Sequence, residues 1–253
     1  MKIRRIVIIT LSIIAVVGAL IVNAVLSKNK TYNKIIYKIE YQTDPLFSEK
    51  ELDDYIKDSC GIIIGKKIKS IDLHEIEKKI TRFPYLESVD VMANSRGYLV
   101  VKGVQHKVIA RVFNKNNESF YISQNKKILP LSSMSPGRVL IVSGEIYYHY
   151  TRPQSLAVNK NSILFDIWTM ANYIEKDLFL KSQIGQIYIN LQQEIELVPT
   201  VGNHIIVFGK IEDMEEKFNK LKYIYNKGFR ITGWDKYSLI NLKFGNQIPC
   251  EKR

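Results

Sequence analysis

Residues Ile6 to Leu26 form one apolar run, IVIITLSIIAVVGALIVNAVL, after which the spacing of hydrophobic positions changes to the two- and 3.6-residue periods of folded elements. A helix rises ~1.5 Å per residue, so a run of this length reaches ~30 Å, the thickness of a bilayer's hydrocarbon core. The pattern predicts a single transmembrane helix over Ile6 to Leu26 behind a short tail at residues 1–5. A cleaved secretory signal is the rival reading, but its apolar region usually covers only about 7–15 residues. Val25-Leu26-Ser27 is also a poor cleavage site. Basic residues flank the run on both sides, Lys2, Arg4 and Arg5 before it and Lys28, Lys30 and Lys34 after it, so flanking charge alone is nearly balanced. The free amino group, and the ease with which long downstream domains translocate, favour a cytoplasmic N terminus. The folded part is therefore expected outside the cytoplasm.

After a linker at 27–33, Ile35, Tyr37, Ile39 and Tyr41 alternate as in a half-buried strand. Asp44-Pro45 signals a turn, and Ser48 with Glu51 forms a capping box for a helix carrying Leu52, Tyr55 and Ile56 and ending near Cys60-Gly61. Asp72 with Glu75 repeats the signal, and Leu73, Ile76, Ile80 and Phe83 make the apolar stripe of a second helix that Pro84 stops. Leu86 to Ala93 and Tyr98 to Val104 read as a hairpin around Asn94-Ser95-Arg96-Gly97. The order strand, helix, helix, strand, strand assigns residues 34–104 to one domain.

Residues 105–248 read as a second, β-rich domain with two helices, and 249–253 as a tail. Its first helix spans Ser162 to Asp177, with Leu164, Ile167, Trp168, Ala171 and Ile174 at helical spacing. Strands follow at Ile184 to Leu191, Glu194 to Val198 and His204 to Phe208. A second helix, Glu212 to Lys227, turns Met214, Phe218, Leu221 and Tyr225 inward and is expected to close at Gly228. The last strand runs from Tyr237 to Phe244, with Ile240, Leu242 and Phe244 on one face and Leu239, Asn241 and Lys243 on the other. The fold class is α+β.

A net charge of +12 raises nucleic acid or anionic lipid as partners. The basic residues are dispersed among acids, however, and no base-reading module is present, so a solvated surface attracted to the anionic membrane is expected. Cys60 and Cys250 have neither a disulfide framework nor metal-ligand spacing. His74, His106, His149 and His204 are likewise without metal-ligand spacing, and no GxSxG, HExxH or Walker A pattern occurs. Asp53 and Asp54, adjacent on a helix, point to different faces and make no acid–base pair. No enzymatic activity, cofactor or metal is expected.

The first domain has the layout of a POTRA domain. Gly65 to Asp72 (GKKIKSID), then Ile76, Ile80 and Phe83-Pro84-Tyr85-Leu86, then Val89 and Val91, resemble the FtsQ/DivIB family of bacterial cell-division proteins. The likeness continues through Gln105 to Val112, where Gln105 and Val108 stand at positions that many members fill with Glu and Pro. It extends through Phe120-Tyr121-Ile122-Ser123, with Ser123 in place of an acid, then Leu129-Pro130-Leu131 and Arg138 to Gly144. The resemblance implies a non-enzymatic divisome scaffold of the inner membrane, at the septum, that holds FtsB and FtsL type proteins outside the cytoplasm. It further implies that the last strand is a sheet edge accepting a strand from the partner. Tyr237, Leu239, Ile240, Asn241, Leu242, Lys243, Phe244, Gln247 and Ile248 become the partner-binding residues, with Lys243 and Phe244 suited to an acidic partner bearing an apolar anchor. The alternative is a membrane-anchored POTRA protein of envelope transport or assembly. Such proteins usually precede a transmembrane barrel, for which the residues after Gly103 are too few and too helical.

Overall fold

The structure, a computed structural model, describes residues 13–18, 30–94, 96–134, 139–156 and 162–253. Of the expected span, residues 13–18 are helical, and the remainder of Ile6 to Leu26 lies outside the described residues. Among the described residues no helix is long and apolar enough to cross a membrane. The chain divides into two compact units, one ending at Gln105 and the other comprising His106–Arg253 with the short segment Gln42–Leu46.

In the first unit, strand β1 (Lys34–Glu40) is followed by helix α1 (Glu49–Cys60), a 3-10 turn (Ile68–Ser70), α2 (Leu73–Ile80), β2 (Leu86–Ala93) and β3 (Tyr98–Gln105). The capping signals act as the sequence predicts. The Ser48 hydroxyl accepts the Glu51 N–H at 3.1 Å, and the Asp72 carboxylate accepts those of His74 and Glu75. The sheet order is β1-β3-β2, with β1 parallel to β3 and β2 antiparallel to it. Leu52, Ile56, Ile76 and Ile80 of the helices are buried, as are Leu99 and Val101 of the central strand. Phe83 packs edge-on against Phe47 at 5.0 Å and Tyr85 at 5.5 Å, closing the end of this core. Gly97 ends the hairpin with φ +84°, and a Cβ there would stand 2.5 Å from the Thr31 carbonyl oxygen, so the turn requires glycine.

The second unit holds a ten-stranded sheet in the order β13-β12-β11-β10-β9-β7-β4-β5-β6-β8. Its strands are β4 (Val108–Phe113), β5 (Ser119–Ser123), β6 (Lys127–Leu129), β7 (Leu140–Gly144), β8 (Gln154–Ser155), β9 (Ile184–Ile189), β10 (Ile195–Pro199), β11 (Ile205–Gly209), β12 (Tyr237–Asn241) and β13 (Cys250–Lys252). The pairs β4–β7, β7–β9 and β11–β12 are parallel. Alternate strand residues, among them Val112, Val142, Ile187, Leu197 and Ile206, form one core with Ile167, Met170 and Ile174 of α3 (Ile163–Lys176) and Phe218 and Leu221 of α5 (Met214–Tyr223). Each such side chain, fully buried, contributes about 1.5–3 kcal/mol of transfer free energy.

One further helix appears, and one helix boundary differs from expectation. Asp177 ends α3 and at the same time caps a further short helix, α4 (Leu178–Gln183), by accepting the N–H groups of Phe179 and Leu180, both at 3.0 Å. The second predicted helix does not close at Gly228. After α5 the chain makes a π turn (Ile224–Gly228) and continues as α6 (Phe229–Thr232) to Gly233, whose φ is +79°. Gly228 keeps a right-handed helical φ of −69°. The continuation brings Phe229 into the core, which outweighs the local helix-stop signal.

Candidate partner interface at the end of the large sheet

The expected edge strand is not the edge. β12 covers Tyr237–Asn241 and is paired on both sides, parallel to β11 and antiparallel to β13, which the tail itself supplies. Beyond Asn241 the chain turns. The Asn241 side chain accepts the Lys243 N–H at 3.0 Å, residues 244–246 bend, and the Asn241 N–H donates to the returning Pro249 carbonyl at 2.8 Å. Lys243, Phe244, Gln247 and Ile248 therefore lie outside the strand and in or after the reversal. The three residues of β13 are too few to carry a strand periodicity. A Gly245-Asn246 pair after an apolar strand was the available hairpin signal.

Within β12, Ile240 and Leu242 just beyond it are fully buried, so they belong to the core and not to a docking face. Tyr237, Leu239 and Asn241 are half-buried, with Leu239 opposite Ile205 on one side and Glu251 on the other. Phe244 is 53% exposed. The lysine expected to meet an acidic partner already has an internal one: the Lys243 ammonium donates to both oxygens of Glu194, at 2.8 and 2.9 Å, and its stem lies over Gly209. Ile248 and Cys250 pack half-buried against the core cluster, whereas Gln247 is exposed. Cys60 and Cys250 are free thiols.

The tail is held mainly by its last residues. The Arg253 N–H donates to the Lys236 carbonyl at 3.2 Å, its guanidinium donates to the Asn203 carbonyl, and the Ser238 hydroxyl donates to the Glu251 carbonyl at 3.4 Å. Beneath lies an aromatic group of His204, Tyr225, Phe229, Trp234 and Tyr237, in which Phe229 and Trp234 meet at 5.0 Å. His204 is 2% exposed and its Nε2 lies 2.7 Å from the Tyr225 hydroxyl. Burial, and secondarily the Arg253 charge, hold its imidazole below the ordinary histidine pKa, so it sits neutral among the rings. Gly202 turns at φ +84° directly over it, and a Cβ there would come 2.9 Å from the ring Nδ1.

Among the described residues no cluster of three or more His, Cys, Asp or Glu side chains gathers to hold a metal. The family model for "FtsQ/DivIB, C-terminal related" matches residues 107–251, more than half of the chain and nearly the whole of the ten-stranded unit. The chain belongs to this family. FtsQ/DivIB proteins are cell-division scaffolds, and the α+β architecture with one large sheet and few helices agrees with the β-rich C-terminal domain expected of them. The matched region contains β12 and the first two residues of β13, so the covered strand is part of what the family model describes. No curated protein matches the chain in sequence.

Proposed function

We propose that this protein is a non-enzymatic divisome scaffold, anchored by Ile6 to Leu26 with its two units outside the cytoplasm at the septum, and that it holds an FtsB/FtsL type pair by strand addition at the β12 end of the large sheet. Residues 34–104 would then serve as a POTRA domain that helps recruitment. Membership of the family supports the division role, and the apolar run supports the anchor. The observation that carries the binding mode is the sheet's terminal strand. β13 is only three residues long, its register on β12 is shifted once, and Glu251, Lys252 and Arg253 are exposed. A partner strand takes the place of β13 and gains the longer β12 backbone.

Deletion from Tyr237 onward does not test this, because it removes Ile240 and Leu242 from the core. Deletion of 249–253 does. Removing a competing intramolecular strand raises the fraction of binding-competent protein, so affinity for the extracytoplasmic segment of an FtsB-type partner is expected to rise about 3- to 30-fold, read by titration calorimetry. Loss of binding in a truncated protein of unchanged melting temperature would show that the partner reads β13 itself and would overturn displacement. A full-length chain that bound neither FtsB- nor FtsL-type segments would overturn the partner assignment.

A further inference from the structure

The loop Gly61 to Ser70, GIIIGKKIKS, joins α1 to α2 and is stitched to the chain that follows the apolar run. The Tyr32 N–H donates to the Lys66 carbonyl at 2.9 Å, the Gly65 N–H to the Tyr32 carbonyl at 2.7 Å and the Ile68 N–H to the Lys30 carbonyl at 3.0 Å, while Thr31 and Lys67 form an antiparallel bridge. Tyr32, 1% exposed, and Ile63, 3% exposed, root the two segments in the unit's core. On either side of Ile63 the loop turns apolar groups outward: Ile62 is 74% exposed and Ile64 44%. Lys66, Lys67 and Lys69 are also exposed, and among the described residues none of them pairs with a carboxylate.

Lys30 follows Leu26 by four residues, so its Cα lies within ~14 Å of the end of the apolar run whatever path the chain takes. The polar layer of a bilayer is about 5–8 Å deep on each side. A loop hydrogen-bonded to Lys30 and Tyr32 is thereby tethered no more than ~6–9 Å beyond the outer edge of that layer, and the chemistry it exposes is two isoleucines beside three lysines. We propose that this loop is a second, interfacial membrane contact: Ile62 and Ile64 enter the headgroup and acyl boundary while Lys66, Lys67 and Lys69 meet anionic headgroups. It rests on the proposed span, whose failure is separately visible. The contact fixes the orientation of the first unit on the bilayer, which a single attachment through the span does not.

Amide hydrogen exchange of the full chain, reconstituted in vesicles of phosphatidylcholine with and without phosphatidylglycerol, tests it. The Ile62 and Ile64 amides are expected to exchange at least about fivefold more slowly in the anionic vesicles, with the gain removed by molar salt, where the screening length falls to ~3 Å. The same loss is expected in the Lys66→Ser, Lys67→Ser, Lys69→Ser triple variant and in Ile62→Ser, Ile64→Ser, while β1 and β3 keep their protection and show that both variants fold. Flotation with the vesicles but identical exchange in both lipids overturns the loop contact alone. Failure to float overturns the span and the loop contact together. Protection independent of lipid charge that grows with protein density assigns the loop to a second copy of this chain and also overturns the proposal.

Discussion

The two sheets of this protein end in different ways. The small sheet exposes β1 and β2, strands of seven and eight residues, as its borders, whereas the ten-stranded sheet finishes in β8 and β13, of two and three residues. A border strand carries unpaired N–H and C=O groups that invite another chain, and charge, shortness or covering are the usual protections. The small sheet uses charge: Lys34, Lys38 and Glu40 are exposed along β1, and on β2 the Val91 N–H donates to the Glu77 carboxylate of α2 at 3.1 Å. At its β12 end the large sheet uses a strap made from Cys250–Lys252. A charged border is permanent, but a strap is removable, and that difference makes the β12 end the better candidate for receiving a partner.

The strongest way to break this comparison is to ask whether β12 belongs to the core despite lying next to the end. Ile240 is fully buried, so Ile240→Ala is expected to lower the unfolding free energy by about 2–5 kcal/mol, measured by urea denaturation. A loss below ~1 kcal/mol would mean that β12 is as peripheral as β13 and that the strap alone is not the removable element.

Acid sharpens the same point. Both His204, under the strap, and His106 are buried, and burial lowers the pKa of each, that of His106 to about 4. The folded state keeps them neutral, so stability is at its full value above the unfolded histidine pKa of ~6.5 and falls as the unfolded chain takes up protons below it, by at most ~1.4 kcal/mol per pH unit for each group. For His106 that window closes near pH 4. Melting temperature followed from neutral to mildly acidic pH should fall less in His204→Phe than in the wild type. Equal slopes would remove His204 from the account.

Smaller effects separate the two kinds of border. Lys243→Ala breaks a partly exposed pair with Glu194 and is expected to cost about 0.2–1 kcal/mol, with a Lys243/Glu194 double-mutant cycle returning most of it as coupling. Lys38→Ile on β1 should leave stability within about ±0.5 kcal/mol yet increase self-association, read by light scattering. An unchanged association state would show that charge is not what protects the small sheet.

How much of this was legible beforehand depends on the range of the forces involved. Ser48 and Asp72 cap helices as their spacing indicates, because capping is settled within a few residues. The apolar alternation of β9, β10 and β12 likewise marks residues that the fold buries, and the resemblance carried by residues 105–144 leads to the family that the chain belongs to. Gly228 was misleading because a helix-stop preference of about 1 kcal/mol is smaller than the burial of Phe229.

The candidate site shows the sharper limit. Sequence alone determined that a last apolar strand exists and that a basic residue stands next to an aromatic at its end, Lys243-Phe244. Only the tertiary structure decided that the chain then reverses, that Cys250–Lys252 cover β12, and that Lys243 faces Glu194, 49 residues away in the chain. Strand neighbours and ion pairs of that separation are selected by the packing of the whole sheet, and no local pattern of residue types encodes which backbone will lie beside an edge.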